Sequence, residues 1–203
     1  MVVAGGPAGV SAPLPGGAVV IAADGGADRA LELGLRVDLL VGDLDSVTEE
    51  TLARVERSGA RVERHPAEKD ETDLELALAA ALRLEPERIL VVGTAGGRLD
   101  HLLGALLLLA GDAYAGVQMD AVVGGAAVHV VRRARTLRGA PGDLVSLLAV
   151  HGPAEGVVTD GLAYPLRGET LAPGSSRGVS NVFVADEAHV TVARGVLLAV
   201  RGT

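Results

Sequence analysis

The chain has 203 residues, a formal net charge of −8 and no cysteine. A 49% hydrophobic fraction excludes a disordered chain, and the missing thiols exclude a disulfide framework, a thiol nucleophile and a Cys-ligated zinc site. The acidic balance and a 1% aromatic fraction argue against a general nucleic-acid binder, which needs basic surface or rings to stack bases.

In chain order, short β-branched runs alternate with helical patterns. Strands are predicted at Val2–Ala4, Val19–Ala23, Leu39–Val41, Arg61–Glu63 and Ile89–Gly93. Helices are predicted at Ala27–Leu33, Thr48–Ser58, Asp73–Arg83 and Asp100–Ala110. This alternation reads as a Rossmann-like parallel α/β domain. After Met119–Val123 the helical pattern stops. Val128–Arg132, Asp143–Val150, Gly156–Thr159, Ala188–Ala193 and Val196–Arg201 read as strands of a small all-β domain. The expected division is therefore 1–125 and 126–203. Charge changes at the same point: residues 1–125 carry 10 basic and 20 acidic side chains, residues 126–203 carry 8 and 6. The longest apolar stretch, Leu102–Ala110, is well short of the roughly 20 residues that span a bilayer. The opening MVVAGGPAG has no basic segment of a signal peptide, so a cytoplasmic protein is expected.

Aspartates follow the predicted strands: Asp24 after the second, Asp43 and Asp45 after the third. Open α/β sheets bind ligands beyond the carboxyl ends of their strands. If extended, Asp43 and Asp45 point the same way, and paired carboxylates repel unless a proton or a cation lies between them. Mg²⁺ suits such an oxygen-only set. The plainer alternative is a turn in which Asp43 and Ser46 cap the next helix.

A second acidic cluster is Lys69-Asp70-Glu71-Thr72-Asp73. Thr72 and Glu75 fit a capping box. Lys69 is the only lysine of a chain rich in Ala, Gly, Val, Leu and Arg, and is expected to contact phosphate oxygens. A third cluster, Gly93 to His101, is a glycine-rich turn into a helix, suited to phosphate, with Arg98 as a further contact. His101 itself reads as a helix-surface or capping residue sooner than as a general base. The P-loop, the dinucleotide fingerprint, the nucleophile elbow and the H-E-x-x-H helix have no match in the chain. In the second half, Gly174–Phe183 contains the only Asn and the only Phe, beside three serines. It reads either as a polar loop with Asn181 in a left-handed turn or as a small-molecule site with Ser180, Asn181 and Phe183 as an apolar wall.

ADGGAD at 23–28, VDLLVGDLDS at 37–46, KDETDLELAL at 69–78, GGRLDH at 96–101, GLAYPL at 161–166 and GVSN at 178–181 occur in that order. Together they resemble the thiamine pyrophosphokinase family, over nearly the whole chain. The resemblance implies transfer of diphosphate from ATP to thiamine, an α/β catalytic domain, a β-sandwich or barrel-like domain that binds thiamine and dimerises, and a homodimer with active sites at the subunit interface. It implies that Asp43, Asp45 and Asp73 hold Mg²⁺. Asp24, Lys69, Asp70, Thr72, Arg98, Asp100 and His101 fall in the ATP and catalytic region, with Asp70 or Asp100 as proton acceptor. Ser180 and Asn181 fall on the thiamine side. Two departures lie on the acceptor side: Val182 where bacterial relatives commonly carry an acidic residue, and the lack of Trp. Two rival readings are a related Mg²⁺ enzyme (a diphosphokinase for another hydroxymethyl heterocycle, or a nucleotide hydrolase) and a non-catalytic protein that binds nucleotide or thiamine.

Overall fold

The computed structural model describes residues 1–6, 16–93 and 98–202. The fold is mixed α/β and divides into two compact units. One comprises Met1–Ala105 and Ala121–Gly125, the other Leu106–Asp120 and Ala126–Thr203. Residues 106–120, expected in the first domain, thus group with the second unit.

The first unit contains β1 (Val2–Ala4), β2 (Ile21–Ala23), α1 (Gly26–Glu32), β3 (Leu39–Gly42), α2 (Glu49–Arg57), β4 (Arg61–Arg64), α3 (Asp73–Leu82), β5 (Arg88–Val92) and the start of α4 (Leu99–Leu109). Its strands pair in parallel in the order β4-β3-β2-β1-β5. β1 and β2 are buried throughout, as continuous apolar runs covered on both faces require. Val3, Val20, Ala22, Ala27, Ala30, Leu40 and Val55 form one core cluster. Gly26 makes the approach of α1 to β1 possible: a Cβ there would lie 2.1 Å from the Val3 carbonyl oxygen. Thr48 and Thr72, not Asp43 or Ser46, cap the helices that follow them. Their hydroxyls accept from the Thr51 and Glu75 N–H groups, each at 3.2 Å. Asp28 on α1 accepts from the Thr48 and Thr51 hydroxyls and so ties the start of α2 to α1.

The strand β6 (Gln118–Val123) falls across the division. The second unit continues with β7 (Ala126–Val131), β8 (Ala134–Arg138), β9 (Leu144–Asp160), β10 (Arg167–Leu171), β11 (Asn181–Val182), β12 (Glu187–Thr191) and β13 (Arg194–Gly202). The two strands expected at 143–150 and 156–159 are one long strand, β9. It bends where His151 and Gly152 take positive φ. Its first half pairs with β13 and β11, its second with β10 and β12. Leu137, Leu147, Val157, Leu171, Phe183 and Leu197 lie in the core between these strands. Phe183 is 1% exposed, so it is a core residue and not the wall of a ligand site. Among the described residues no helix is long and apolar enough to cross a membrane.

Candidate functional site

Strand order assembles the acidic residues. β2, β3 and β4 are neighbours in parallel, with Ala23 opposite Val41 and Gly42 opposite Arg64. The loops leaving their carboxyl ends therefore lie side by side, although they are distant in sequence. Asp24 follows β2 in a left-handed conformation at φ 44°. Asp43 and Asp45 follow β3. Leu44 between them has φ 67°, so the segment is a tight turn, the plainer of the two sequence readings, and not an extended stretch. The turn is closed by the Asp45 N–H donating to Asp43 Oδ1 at 3.3 Å. Two of the few left-handed non-glycine residues thus stand in this cluster, where backbone strain is maintained by the surrounding fold.

Asp24, Asp43 and Asp45 each offer a carboxylate oxygen, and these lie within 4.8 Å of one another. Asp24 is buried, and burial pushes its carboxyl above the usual range, against hydrogen bonds from Ser46 that lower it. The Ser46 N–H lies 3.4 Å from Asp24 Oδ1, and its hydroxyl donates to Asp45 Oδ1 at 2.8 Å. The donor set is all oxygen, and its most buried carboxylate, that of Asp24, has no cationic partner among the described residues. Such a set fits a hard divalent cation. Gly42 lets Asp24 and Asp73 approach this turn: a Cβ there would meet Asp24 Cβ at 3.0 Å and Asp73 Oδ1 at 3.1 Å.

Asp73, the first residue of α3, stands beside this group, paired with lysine. Lys69 Nζ lies 2.9 Å from Asp43 Oδ2 and 3.0 Å from Asp73 Oδ1, and the Lys69 side chain is only 11% exposed. Burial lowers its affinity for the proton, but hydrogen bonds to the two carboxylates outweigh burial and raise it. The Lys69 hydrogen bond in turn holds Asp43 below the usual carboxylate range. Asp70 and Thr72 are exposed, and Thr72 is occupied as the α3 cap.

The glycine turn at 94–97 lies outside the described residues. After it, Arg98 donates to both oxygens of Asp100, at 2.6 and 3.3 Å, and both side chains are exposed. This pairing brings the Asp100 carboxyl down to about 2. His101 is exposed on α4, as expected of a helix-surface residue.

In the second unit, a pocket of about 440 Å³ is lined by Tyr164, Leu166, Ser175, Arg177, Ser180 and Asn181. Ser180 is exposed at φ 57° with its N–H on Ser146 Oγ at 3.1 Å. Asn181 is 3% exposed, and both ends of its amide are hydrogen-bonded. Its Oδ1 accepts from the Tyr164 and Val182 N–H groups at 3.0 and 2.9 Å, and its Nδ2 donates to the Tyr164 carbonyl at 2.8 Å. The side chain thus imitates a strand partner for residue 164 and fixes it at the pocket. Tyr164, 61% exposed, is the aromatic surface there, in place of the Phe183 wall that the sequence suggested. A larger, open groove of about 940 Å³ contains none of the predicted site residues.

Comparison with known proteins identifies the family. Residues 15–119 match the family model for the thiamin pyrophosphokinase catalytic domain, and residues 128–197 match that for the thiamin pyrophosphokinase vitamin B1 binding domain. A thiamine pyrophosphokinase of Bacillus subtilis is 29% identical over 100% of this chain and 97% of its own length. The fold is similar to a crystal structure of thiamine pyrophosphokinase from Bacillus subtilis (TM-score 0.86, 26% identity, 100% and 97% of the two chains). It is equally similar to a family protein from Enterococcus faecalis (TM-score 0.86, 25% identity, 100% and 97%). The first family model alone spans more than half of the sequence, and the second follows it in order: the chain belongs to the thiamin pyrophosphokinase family.

Proposed function

We infer that this chain is a thiamine diphosphokinase, transferring the terminal diphosphate of ATP to thiamine to give thiamine diphosphate and AMP. The observation that carries this is the succession of both family domains along one chain. The related-acceptor, hydrolase and non-catalytic readings are not favoured. The finer architecture we propose is a Rossmann-like unit that takes ATP, followed by a β-sandwich unit that takes thiamine and dimerises, in a cytoplasmic homodimer.

In the proposed reaction the thiamine hydroxyl oxygen attacks the β-phosphorus of ATP. The bond from that phosphorus to the AMP oxygen breaks, and AMP leaves. Such transfers depend chiefly on positioning and on neutralising phosphate charge. We assign Asp24, Asp43 and Asp45 to hold Mg²⁺, which when bound supplies neutralisation of the phosphate oxygens. Asp73 orients Lys69 from the far side. The hydroxyl proton goes to one of two carboxylates, Asp70 or Asp100. Ser180 presents its hydroxyl to thiamine, while Asn181 holds the backbone of Tyr164, whose ring forms the wall.

The test is AMP release from ATP and Mg²⁺, with and without thiamine. Thiamine-dependent AMP with an equal amount of thiamine diphosphate is expected. AMP formed regardless of thiamine would indicate a hydrolase. No AMP with retained ATP binding would point to another acceptor.

A further inference from the structure

Lys69 is the one lysine of the chain, and its surroundings do not match those of a phosphate contact. Its ammonium is inside the acidic cluster, between Asp43 on the loop after β3 and Asp73 on α3, at 2.9 and 3.0 Å. Its side chain is 11% exposed, and those of Asp43 and Asp73 are 16% and 25% exposed. A partly buried ammonium with two carboxylate partners does not swing out to a ligand without leaving both carboxylates unpaired, and unpaired buried charges are costly. Without this cation, Asp24, Asp43, Asp45 and Asp73 would crowd one site with four like charges.

We propose that Lys69 is a built-in counter-cation of the acidic cluster: it keeps Asp43 and Asp73 in place when no divalent ion is bound, and it sets the affinity for that ion by cancelling one negative charge. The proposal rests on reading Asp24, Asp43 and Asp45 as the Mg²⁺ site. Lys69 is then a positioning residue. It adjusts how strongly the site competes for a divalent ion and leaves the outer face of the cluster to phosphate.

The experiment is a titration of nucleotide-free protein with Mn²⁺, free ion being followed by electron paramagnetic resonance, together with melting in a chelator. Lys69→Met keeps the length of the side chain and removes its charge. It is expected to bind Mn²⁺ about tenfold tighter and to melt at a lower temperature without metal. In the double variant Lys69→Met/Asp73→Asn the charges balance again, and unaltered affinity is expected. If Lys69→Met does not fold, the double variant takes its place in the same titration. Unchanged or weaker Mn²⁺ binding by Lys69→Met, with a raised KM for ATP, would overturn the proposal and return Lys69 to a phosphate role. No Mn²⁺ binding by the unaltered protein would overturn the Mg²⁺ reading itself.

Discussion

Asn181 provides a direct test of how the thiamine side is built. Asn181→Ala removes three hydrogen bonds, at 3.0, 2.9 and 2.8 Å, from a side chain that is 3% exposed. It leaves the Tyr164 N–H and carbonyl and the Val182 N–H without those partners. At about 1 kcal/mol net for each bond, the loss is about 3 kcal/mol. For a chain of this size that corresponds to a fall in Tm of about 6–12 °C. Because the amide holds residue 164, the Tyr164 ring should also lose its fixed position at the pocket. The KM for thiamine should rise about tenfold while that for ATP stays the same. The assays are thermal melting by circular dichroism and steady-state kinetics with each substrate varied in turn. A variant that keeps its Tm but no longer binds thiamine would refute the argument. The amide would then serve the ligand directly and not the backbone of Tyr164.

Other outcomes follow from the first unit. Asp43→Asn should lower turnover at least about 100-fold at saturating Mg²⁺, with the fold intact by circular dichroism, because charge neutralisation at phosphate is the main contribution to such transfers. Asp24→Asn should stabilise the metal-free protein by about 1 kcal/mol at pH 7, at the expense of divalent binding. Its sign follows from burial: the folded carboxyl holds its proton more tightly than the unfolded one, so stability falls as pH rises above the unfolded value. In chelator, the gap between Asp24→Asn and the unaltered protein should therefore close below pH ~4. Thr72→Ala removes the α3 cap and should lower Tm by about 2–4 °C, the equivalent of ~1 kcal/mol.

The parallel strands and the four expected helices were legible because their apolar runs and caps are local signals. Thr72 before Asp73 marks the start of α3 in sequence and in structure alike. What was not legible depends on distant partners. β8 reads ARTLR, with polar residues alternating about one buried leucine, and its strand character comes from pairing with β12. β10 is interrupted by register shifts against β9, which blur a period of two. A turn at 43–46 was among the sequence readings, but its left-handed Leu44 was not, because leucine seldom takes positive φ and only the surrounding loops force it to. Phe183 looked like a ligand wall because it closes a stretch that holds three serines and Asn181. Its burial follows from the bridge to Leu162 and from strands that close over it. The pairing of Lys69 with Asp43 spans 26 residues and exists only because β3 and β4 are adjacent.

The charge balance of the chain now takes a sharper meaning. The first 125 residues carry twice as many acidic as basic side chains, and ATP adds further negative charge. Two cations were candidates to receive its phosphates, Lys69 and Arg98. Both are paired in the structure, but not equally. Arg98 and Asp100 are 66% and 65% exposed, so their pair is screened by water and exchanges a carboxylate for a phosphate at little cost. Lys69 has two carboxylates and little solvent. We therefore assign Arg98 as the cation that meets phosphate, with Lys69 internal to the acidic cluster. One exposed guanidinium does not offset that much negative charge. On the Mg²⁺ reading proposed above, the remaining positive charge arrives with the nucleotide as a divalent ion, and turnover should stop entirely when that ion is removed by chelation.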